Sequence, residues 1–208
     1  MSYWYRAIQV GKMTPSSLEY FGSEQHEHDM KNIVSNQTDS LQILGKIQGD
    51  WDDDLETACK TAKKVLYTQR EHHSDYLYET VLSDQLPTIS KIPKLIGFKT
   101  TQTHQIQMQR PGCLLSAHVD PPDIYKNSNC IRVLVTLAPW EYGQIIMFNN
   151  RIIQHWEAGT ILYARFENTM HATFNASFHT RPLLQITGEP DENLQALINS
   201  NKEQIFQL

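Results

Sequence analysis

Short apolar runs separated by turn residues fill the chain from about residue 96 onward. Polar and apolar side chains alternate from Gln105 to Gln109, the period-two pattern of a half-buried strand, and the Pro111-Gly112 pair ends it. Further short runs follow at residues 113–117, 130–137, 144–148, 151–156, 160–166 and 182–186. With a strand through residue 171 they make roughly eight short strands, which predicts a double-sheet jelly roll.

Helices are predicted mainly outside this strand-rich region. Residues 50–67 carry acidic side chains in the first turns, lysines later and apolar residues at helical spacing, which predicts a helix. A second helix is predicted over residues 75–82, and a weak strand over residues 41–47. Residues 189–206 predict a terminal amphipathic helix that covers a sheet or makes a dimer contact.

The patterns together predict a mainly β protein with flanking helices. The expected architecture is a double-stranded β-helix, also called a jelly roll or cupin-like fold, preceded by an N-terminal helical segment. A length of 208 residues suits one domain. Its expected parts are a helical and mixed extension over residues 1–95, a jelly-roll core over 96–188 and a C-terminal helix over 189–208. The extension is expected to shape a substrate entrance or to buttress one sheet.

Composition narrows the class of protein. Hydrophobic residues make up 40% of the chain and the formal net charge is −5, which favours a globular protein and weighs against a nucleic-acid partner. No apolar stretch approaches the roughly 20 residues of a membrane span. The first ten residues lack a secretory pattern, and three cysteines show no zinc spacing. We therefore predict a cytoplasmic protein without a membrane partner, in which Cys113 and Cys130 are buried thiols.

Candidate metal ligands lie within the predicted strands. His118 and Asp120 are two residues apart, so an extended strand points both side chains to one side. A distal histidine from another strand would complete a site of two histidines and one carboxylate, the set used by non-heme ferrous oxygenases. His171 and His179 are the two candidates for this third ligand.

Two other groups of histidines are weaker candidates. The His26 to Asp29 cluster lies in a polar stretch without periodicity, so a solvated loop is expected there. His72 and His73 are adjacent, and neighbouring side chains on a helix point about 100° apart, which makes them poor co-ligands.

A series of residues around the candidate ligands resembles a known family. The series consists of Pro111, Gly112, His118, Trp156, Gly159, His171, Asn175 and Arg181. It resembles the aspartyl/asparaginyl β-hydroxylase branch of the 2-oxoglutarate and iron(II) dependent oxygenases, over about residues 103–188. The protein aspartyl hydroxylases lack a carboxylate ligand where this chain has Asp120, whereas the proline cis-hydroxylases retain one.

The resemblance implies a ligand set and a cosubstrate. It places the distal iron ligand ten residues before the arginine, which favours His171 over His179 and gives Fe(II) the ligands His118, Asp120 and His171. Arg181 is expected to hold the far carboxylate of 2-oxoglutarate, because a planar guanidinium matches a carboxylate bidentately.

Three further residues are candidates for cosubstrate contacts. Arg132 lies within an apolar strand run and could reach the near carboxylate or the substrate, although a one-residue register shift would turn it to the other face. Gln107 falls where the resembled branch uses a polar cosubstrate contact. Asn175 is expected to steady the turn after His171 or to hydrogen-bond near the iron.

The resemblance implies an Fe(II) and 2-oxoglutarate dependent dioxygenase. It would hydroxylate an amino-acid side chain, in a protein or peptide or in a free amino acid, while converting 2-oxoglutarate and O2 to succinate and CO2. Oxidation of a modified nucleobase is an alternative, and the acidic balance of the chain weighs against it. A non-catalytic jelly-roll binding protein is another, and the intact set of His118, Asp120, His171 and Arg181 weighs against it.

Overall fold

The computed structural model describes residues 41–67, 76–120, 129–149 and 151–208. The strands are β1 Gln42–Gln48, β2 Lys63–Tyr67, β3 Tyr76–Leu82, β4 Phe98–Gln109, β5 Leu114–His118, β6 Ile131–Thr136, β7 Gln144–Phe148, β8 Arg151–Ile153, β9 Thr160–Tyr163, β10 His171–Asn175, β11 Arg181–Pro190 and β12 Gln204–Gln207. The α-helices are α1 Asp52–Thr61, α2 Ile92–Ile96 and α3 Glu192–Ser200, and short 3-10 turns lie at Ser83–Gln85 and Ile89–Lys91.

The strands form two sheets. The large sheet has eight strands in the order β12-β1-β9-β6-β11-β4-β3-β2, and the small sheet has four in the order β5-β10-β7-β8. From β4 to β11 the chain moves repeatedly from one sheet to the other, which is the winding of a jelly roll. The predicted fold class, a mainly β protein with a cupin-like double-stranded β-helix, is confirmed.

The central strands of the large sheet, β6, β9 and β11, are buried on both faces. Leu134 of β6, Leu162 of β9 and Leu183 of β11 pack with Ile146 and Phe148 of the small sheet to form a core between the sheets. Their strand neighbours point the other way and join a second core that includes the helices. Because both faces are covered there, β6 and β9 read as nearly continuous apolar runs, whereas β4 alternates polar and apolar residues.

The turns predicted around the site strands are present. At the Pro111-Gly112 turn the amide of Cys113 donates to the carbonyl of Arg110 at 3.0 Å, and Gly112 has a φ of +80°, which favours glycine. Antiparallel β7 and β8 form a hairpin between two of the predicted apolar runs, and Asn149 at its tip has a φ of +50°. Asparagine tolerates this left-handed backbone better than most residues. The weak strand prediction at residues 41–47 is also confirmed, since β1 covers Gln42–Gln48.

Two helix predictions in the first half need correction. The helix predicted over residues 50–67 ends at Thr61, and Lys63–Tyr67 is strand β2. The helix predicted over residues 75–82 is wrong, because Tyr76–Leu82 is strand β3, paired antiparallel with β4. The Tyr76–Leu82 segment contains aromatic and β-branched residues, and pairing with β4 satisfies its backbone groups, so tertiary context overrides the local helical pattern.

The described part of the N-terminal extension adds strands β1, β2 and β3 to the large sheet and carries helix α1 between β1 and β2. The His26 to Asp29 cluster and the pair His72 and His73 lie outside the described residues.

The helix predicted over residues 189–206 is confirmed for its central part, α3 Glu192–Ser200. Asp191 caps α3 by accepting a hydrogen bond from the amide of Leu194 at 2.8 Å, and the helix ends before Asn201 in a left-handed conformation. Beyond it, residues 204–207 form β12 instead of a continued helix. Leu194 and Ile198 of α3 join the core against the large sheet. The helix therefore covers a sheet, which is one of its two predicted roles.

The two cysteines predicted to be buried differ in exposure. Cys130 is buried, as predicted, and Cys113 is only partly buried. Among the helices of the described ranges, none combines the length and apolar character that crossing a membrane requires.

The acidic start of α1 has an unpredicted structural role. Asp52 and Asp53 are exposed, but Asp54 is only 2% exposed and its Oδ2 accepts hydrogen bonds from the amides of Thr88 and Ile89 at 2.8 and 2.7 Å. Asp54 thereby ties α1 to the 3-10 turn before α2.

Asp54→Ala is expected to lower the free energy of unfolding by about 2–4 kcal/mol, because two backbone donors lose a charged acceptor in a buried place. Urea denaturation measures the change. Asp53→Ala is the matched control and should change stability by less than about 0.5 kcal/mol, since Asp53 is exposed. Equal effects of the two substitutions would contradict the assignment.

Candidate metal centre and cosubstrate pocket

Strand pairing brings the two predicted histidine ligands together. His118 ends β5, His171 begins β10, and the two residues are directly paired in the small sheet. Their ring centroids are 4.2 Å apart. Asp120 follows β5, where its amide donates to the carbonyl of Phe166 at 2.9 Å. That bond holds the segment after the strand in place and turns the carboxylate toward the two rings.

The three side chains form a compact donor set. Oδ1 of Asp120 lies 3.7 Å from Nε2 of His118 and 3.6 Å from Nε2 of His171. One ligand atom from each of the three residues lies within 4.8 Å of the others. Ligand atoms about 2.1 Å from a shared ion are about 3.0–3.6 Å apart at angles of 90–120°. The two Asp120 separations lie at or just above the upper end of this interval, so small side-chain shifts would bring all three atoms onto one ion.

The protonation state of His171 supports a ligand role. Its Nδ1 lies 3.0 Å from the carbonyl of Thr169, which can only accept, so Nδ1 carries the proton and donates. Burial, with a smaller contribution from His118, lowers the pKa of His171 to about 3, so the ring is neutral at pH 7. The lone pair of Nε2 then faces the acceptor Oδ1 of Asp120. Two acceptors that face each other in a buried place are stabilised by a cation between them.

Aromatic residues enclose this part of the site. The rings of Phe166 and Phe148 lie 4.9 and 6.2 Å from the ring of His171, measured between centroids. Asp120 is only 3% exposed. The two phenylalanine rings pack against the His171 ring and restrict its rotation.

Arg132 lies behind the metal-site carboxylate. Its Nη1 donates to Oδ2 of Asp120, and its Nε donates to Oγ1 of Thr187 at 2.9 Å. Arg132 and Thr187 are paired across β6 and β11, and this register points the arginine into the space between the sheets. The structure places Arg132 on Asp120, and its contact with a cosubstrate carboxylate stays a prediction.

Arg132→Met is expected to weaken metal binding about 10–100-fold, because groups that orient a metal ligand contribute to affinity at about that level. Arg132→Lys keeps the charge but loses the planar fork, so its loss should be smaller. Titration with Co(II) against a chromophoric chelator measures both. Arg151→Met, at an exposed position, should leave the affinity unchanged, and an unchanged affinity in Arg132→Met as well would contradict the role.

Arg181 occupies a different part of the interior. It begins β11, is 3% exposed, and donates from Nη1 to the carbonyl of Ile145 at 3.0 Å and from Nη2 to Oε1 of Gln109. Its guanidinium lies 5.9 Å from the ring centre of Trp156. Nε is buried without a hydrogen-bond partner, and burial lowers the pKa of Arg181 to about 9. The side chain is thus a buried cation with spare donor capacity.

A small cavity lies beside this guanidinium. Its lining consists of Gln107, Gln109, Cys113, Leu114, Leu115, Thr173, Arg181 and Leu183. Gln107, a predicted cosubstrate contact, is therefore in the same cavity as Arg181, and its Nε2 donates to Oε1 of Gln185 at 2.6 Å.

Strand pairing in the small sheet gives the distance between the candidate metal centre and the backbone group that binds Arg181. Ile145, which binds Arg181, is paired with Phe174. Phe174 is three residues beyond His171 along β10, which corresponds to about 10 Å of strand.

The hydrogen bonds of Asn175, at the end of β10, bear on its two predicted roles. The Asn175 amide donates to the carbonyls of Gln109 and His179 at 2.7 and 2.9 Å and accepts from the amide and hydroxyl of Ser177 at 3.0 and 2.7 Å. These bonds use both donors and the oxygen, which favours the turn-steadying role over a contact near the iron.

The alternative ligand His179 is wrong. Its side chain is 74% exposed and its Nδ1 lies 2.8 Å from Oε2 of Glu141. Within the described ranges, the cluster of metal-ligating side chains contains His118, Asp120 and His171. The cluster therefore agrees with the spacing of ten residues before the arginine, which favours His171, and not with the strand-face argument for His179.

Gln109 is a site residue that the sequence analysis did not single out. It lies two residues after Gln107 on the same face of β4 and is paired with Arg181 across β11. The alternation of glutamines at residues 105, 107 and 109 was visible as a strand pattern. Its connection with Arg181 depends on strand register, for which no local signal exists.

Fold and site together define a jelly-roll protein with a buried cluster of two histidines and one carboxylate. No protein-family model matches the chain, and no curated protein matches it. Solved structures do resemble it. A prolyl hydroxylase from Trichoplax adhaerens, in complex with a hypoxia inducible factor oxygen degradation domain peptide fragment, is 10% identical with a TM-score of 0.55, and the match covers 84% of this chain and 96% of that one.

Two further similar structures come from nogalamycin biosynthesis. The non-heme α-ketoglutarate dependent epimerase SnoN is 8% identical with a TM-score of 0.52, over 77% of this chain and 82% of that one. The carbocyclase SnoK is 8% identical with a TM-score of 0.50, over 76% and 82% of the two chains. At such identities the similarity establishes the fold alone. The resemblance to the aspartyl/asparaginyl hydroxylase branch stays a prediction.

Proposed function

We propose that this protein is an Fe(II) and 2-oxoglutarate dependent dioxygenase that hydroxylates an amino-acid side chain, in a peptide or in a free amino acid. Two observations carry the proposal: a candidate metal-ligand cluster, and a buried arginine without a counterion. The arginine binds the carbonyl of Ile145, which lies about 10 Å along the sheet from the cluster. That interval suits a five-carbon dicarboxylate with one end at the metal and the other at Arg181.

His118, Asp120 and His171 would hold the ion. The donor set fits iron(II), because two imidazoles and one carboxylate on one side of an ion leave positions for other ligands. Bound iron(II) would supply the activation of O2 that is coupled to oxidative decarboxylation of 2-oxoglutarate to succinate and CO2. Arg132 holds Asp120 in place through the carboxylate oxygen that faces away from the histidines.

Arg181 would bind the distal carboxylate of 2-oxoglutarate. Among the described side chains no carboxylate forms an ion pair with Arg181, and burial is the cause of its lowered pKa. A buried cation without a counterion is unfavourable, so a bound dianion would stabilise it. The unpartnered Nε and the adjacent polar side chain of Gln107 offer further hydrogen bonds to the same ligand.

An amino-acid substrate is supported by two independent likenesses. The motif residues around His118 and His171 resemble a branch that acts on aspartyl and asparaginyl side chains and on proline. The fold resembles a prolyl hydroxylase that was solved with a bound peptide fragment. The reaction would convert one C–H bond of the substrate to C–OH, with the second oxygen atom of O2 entering succinate.

An anaerobic titration of the protein with Fe(II) and 2-oxoglutarate tests the proposal. Chelation of 2-oxoglutarate to iron(II) is expected to give a visible charge-transfer band that neither component gives alone. Succinate release in the presence of O2 would then be measured across peptides and free amino acids to find the substrate. Well-folded protein without a band would instead favour a non-catalytic binding protein.

A further inference from the structure

The amide of Gln109 faces Arg181 in a fixed direction. Its Nε2 lies 3.2 Å from the carbonyls of Cys113 and Thr173 and 3.1 Å from Oγ1 of Thr173. Backbone carbonyls accept hydrogen bonds and do not donate them, so the NH2 group must face this side. The oxygen of the amide is thereby aimed at Arg181, where it accepts from Nη2. Gln109 is itself only 5% exposed, which limits its freedom to turn.

The two buried arginines of the barrel have contrasting partners. Arg132 donates to the carboxylate of Asp120. Arg181 is held by the amide of Gln109, the carbonyl of Ile145 and the ring of Trp156, and each of these groups is uncharged. Arg132 is therefore neutralised by the protein, whereas Arg181 is oriented without being neutralised. A glutamate in place of Gln109 would supply a carboxylate at the same distance along the side chain.

We propose that Gln109 is a positioning residue that orients Arg181 for the distal carboxylate of the cosubstrate and so sets the preference for dicarboxylic over monocarboxylic 2-oxo acids. This inference rests on the proposed function. The amide oxygen fixes the plane of the guanidinium while leaving its full positive charge for the ligand. The hydrogen bonds of Nε2 tie that orientation to the turn after β4 and to β10, so the guanidinium is oriented before the ligand enters.

The test compares two ligands that differ only at the distal end. 2-Oxopentanoate has the carbon chain of 2-oxoglutarate with a methyl group in place of the distal carboxylate. Affinities for both are measured anaerobically on the Fe(II)-loaded protein by the charge-transfer band. The unmodified protein should prefer 2-oxoglutarate by about 100-fold, because a hydrogen-bonded buried charge pair contributes at about that level.

Gln109→Glu should lower the affinity for 2-oxoglutarate about 100-fold and leave the affinity for 2-oxopentanoate unchanged, since the introduced carboxylate occupies Arg181. Gln109→Met keeps the size and removes the hydrogen bond, so the affinity for 2-oxoglutarate should fall about tenfold. Gln204→Glu adds the same charge on exposed strand β12 and should change neither affinity. Thermal unfolding midpoints establish that each variant is folded.

The outcomes separate the inference from the function on which it rests. Absence of binding, or no preference for 2-oxoglutarate in the unmodified protein, would refute the proposed function. A preference that persists in Gln109→Glu would overturn the inference alone. An equal loss of affinity for both ligands in Gln109→Glu and Gln109→Met would also overturn it, because that pattern indicates a purely structural role. If Gln109→Glu does not fold, Gln109→Met decides by the same comparison.

Discussion

Asp120→Asn is expected to abolish the charge-transfer band and to lower metal affinity at least about 100-fold. Replacing the carboxylate by an amide removes the anionic ligand of the cluster, and loss of a direct ligand should exceed the 10–100-fold effects known for outer residues. The amide oxygen can still accept the hydrogen bond from Arg132, so the fold should survive. Isothermal titration with Fe(II) under anaerobic conditions measures the affinity, and the band is followed in parallel.

His171→Ala should have an effect of the same size, because the lone pair of Nε2 faces Oδ1 of Asp120. The matched control is His179→Ala, which removes a histidine of the same chain from an exposed position and should leave the band intact. A band that survives Asp120→Asn and His171→Ala but is lost in His179→Ala would refute the ligand assignment.

The ligand set was predictable because its geometry is local. A spacing of two residues on an extended segment places His118 and Asp120 on one side, whatever the rest of the fold does. His171 was favoured as the third ligand by its interval before Arg181 within a resembling motif. Pairing of β5 with β10 then brings the two histidines together. Local periodicity and motif spacing were therefore sufficient to predict the three candidate metal ligands.

The parts that sequence reasoning missed depend on contacts between distant residues. Arg181 and Gln109 are 72 positions apart, and the register of β4 with β11 joins them. The direction of Arg132 was open to a shift of one residue, and its pairing with Thr187 decides it. Residues 76–82 were wrongly predicted as a helix because the strand that pairs with them, β4, is distant in the sequence. Register and sheet-edge pairing are properties of the assembled barrel.

The assembled barrel also explains why the two arginines require different tests. Removal of Arg132 leaves Asp120 as an unpaired buried carboxylate, so loss of stability and loss of metal affinity are expected together. Removal of Arg181 leaves no buried charge behind, because its protein partners are uncharged. Stability and ligand binding are therefore expected to separate at Arg181.

Arg181→Met is expected to lower the affinity for 2-oxoglutarate at least about 100-fold while the unfolding free energy of the ligand-free protein stays equal or rises. The first effect follows because methionine offers no donor to the distal carboxylate. The second follows because relief of the buried charge, which the lowered pKa of Arg181 indicates, offsets the hydrogen bonds lost by the carbonyl of Ile145 and the amide oxygen of Gln109. Urea denaturation of the metal-loaded protein, with and without 2-oxoglutarate, measures both effects in one experiment.

The gain in unfolding free energy on adding 2-oxoglutarate distinguishes the variants most clearly. At a ligand concentration 100 times its Kd, the unmodified protein should gain about 2.7 kcal/mol, whereas Arg181→Met at the same concentration should gain less than about 0.5 kcal/mol. Arg181→Lys keeps a positive charge but lacks the planar fork and the reach to both the ligand and Ile145, so an intermediate gain is expected. A variant that loses stability without ligand yet keeps the full gain would show that Arg181 supports the sheet and does not bind the cosubstrate.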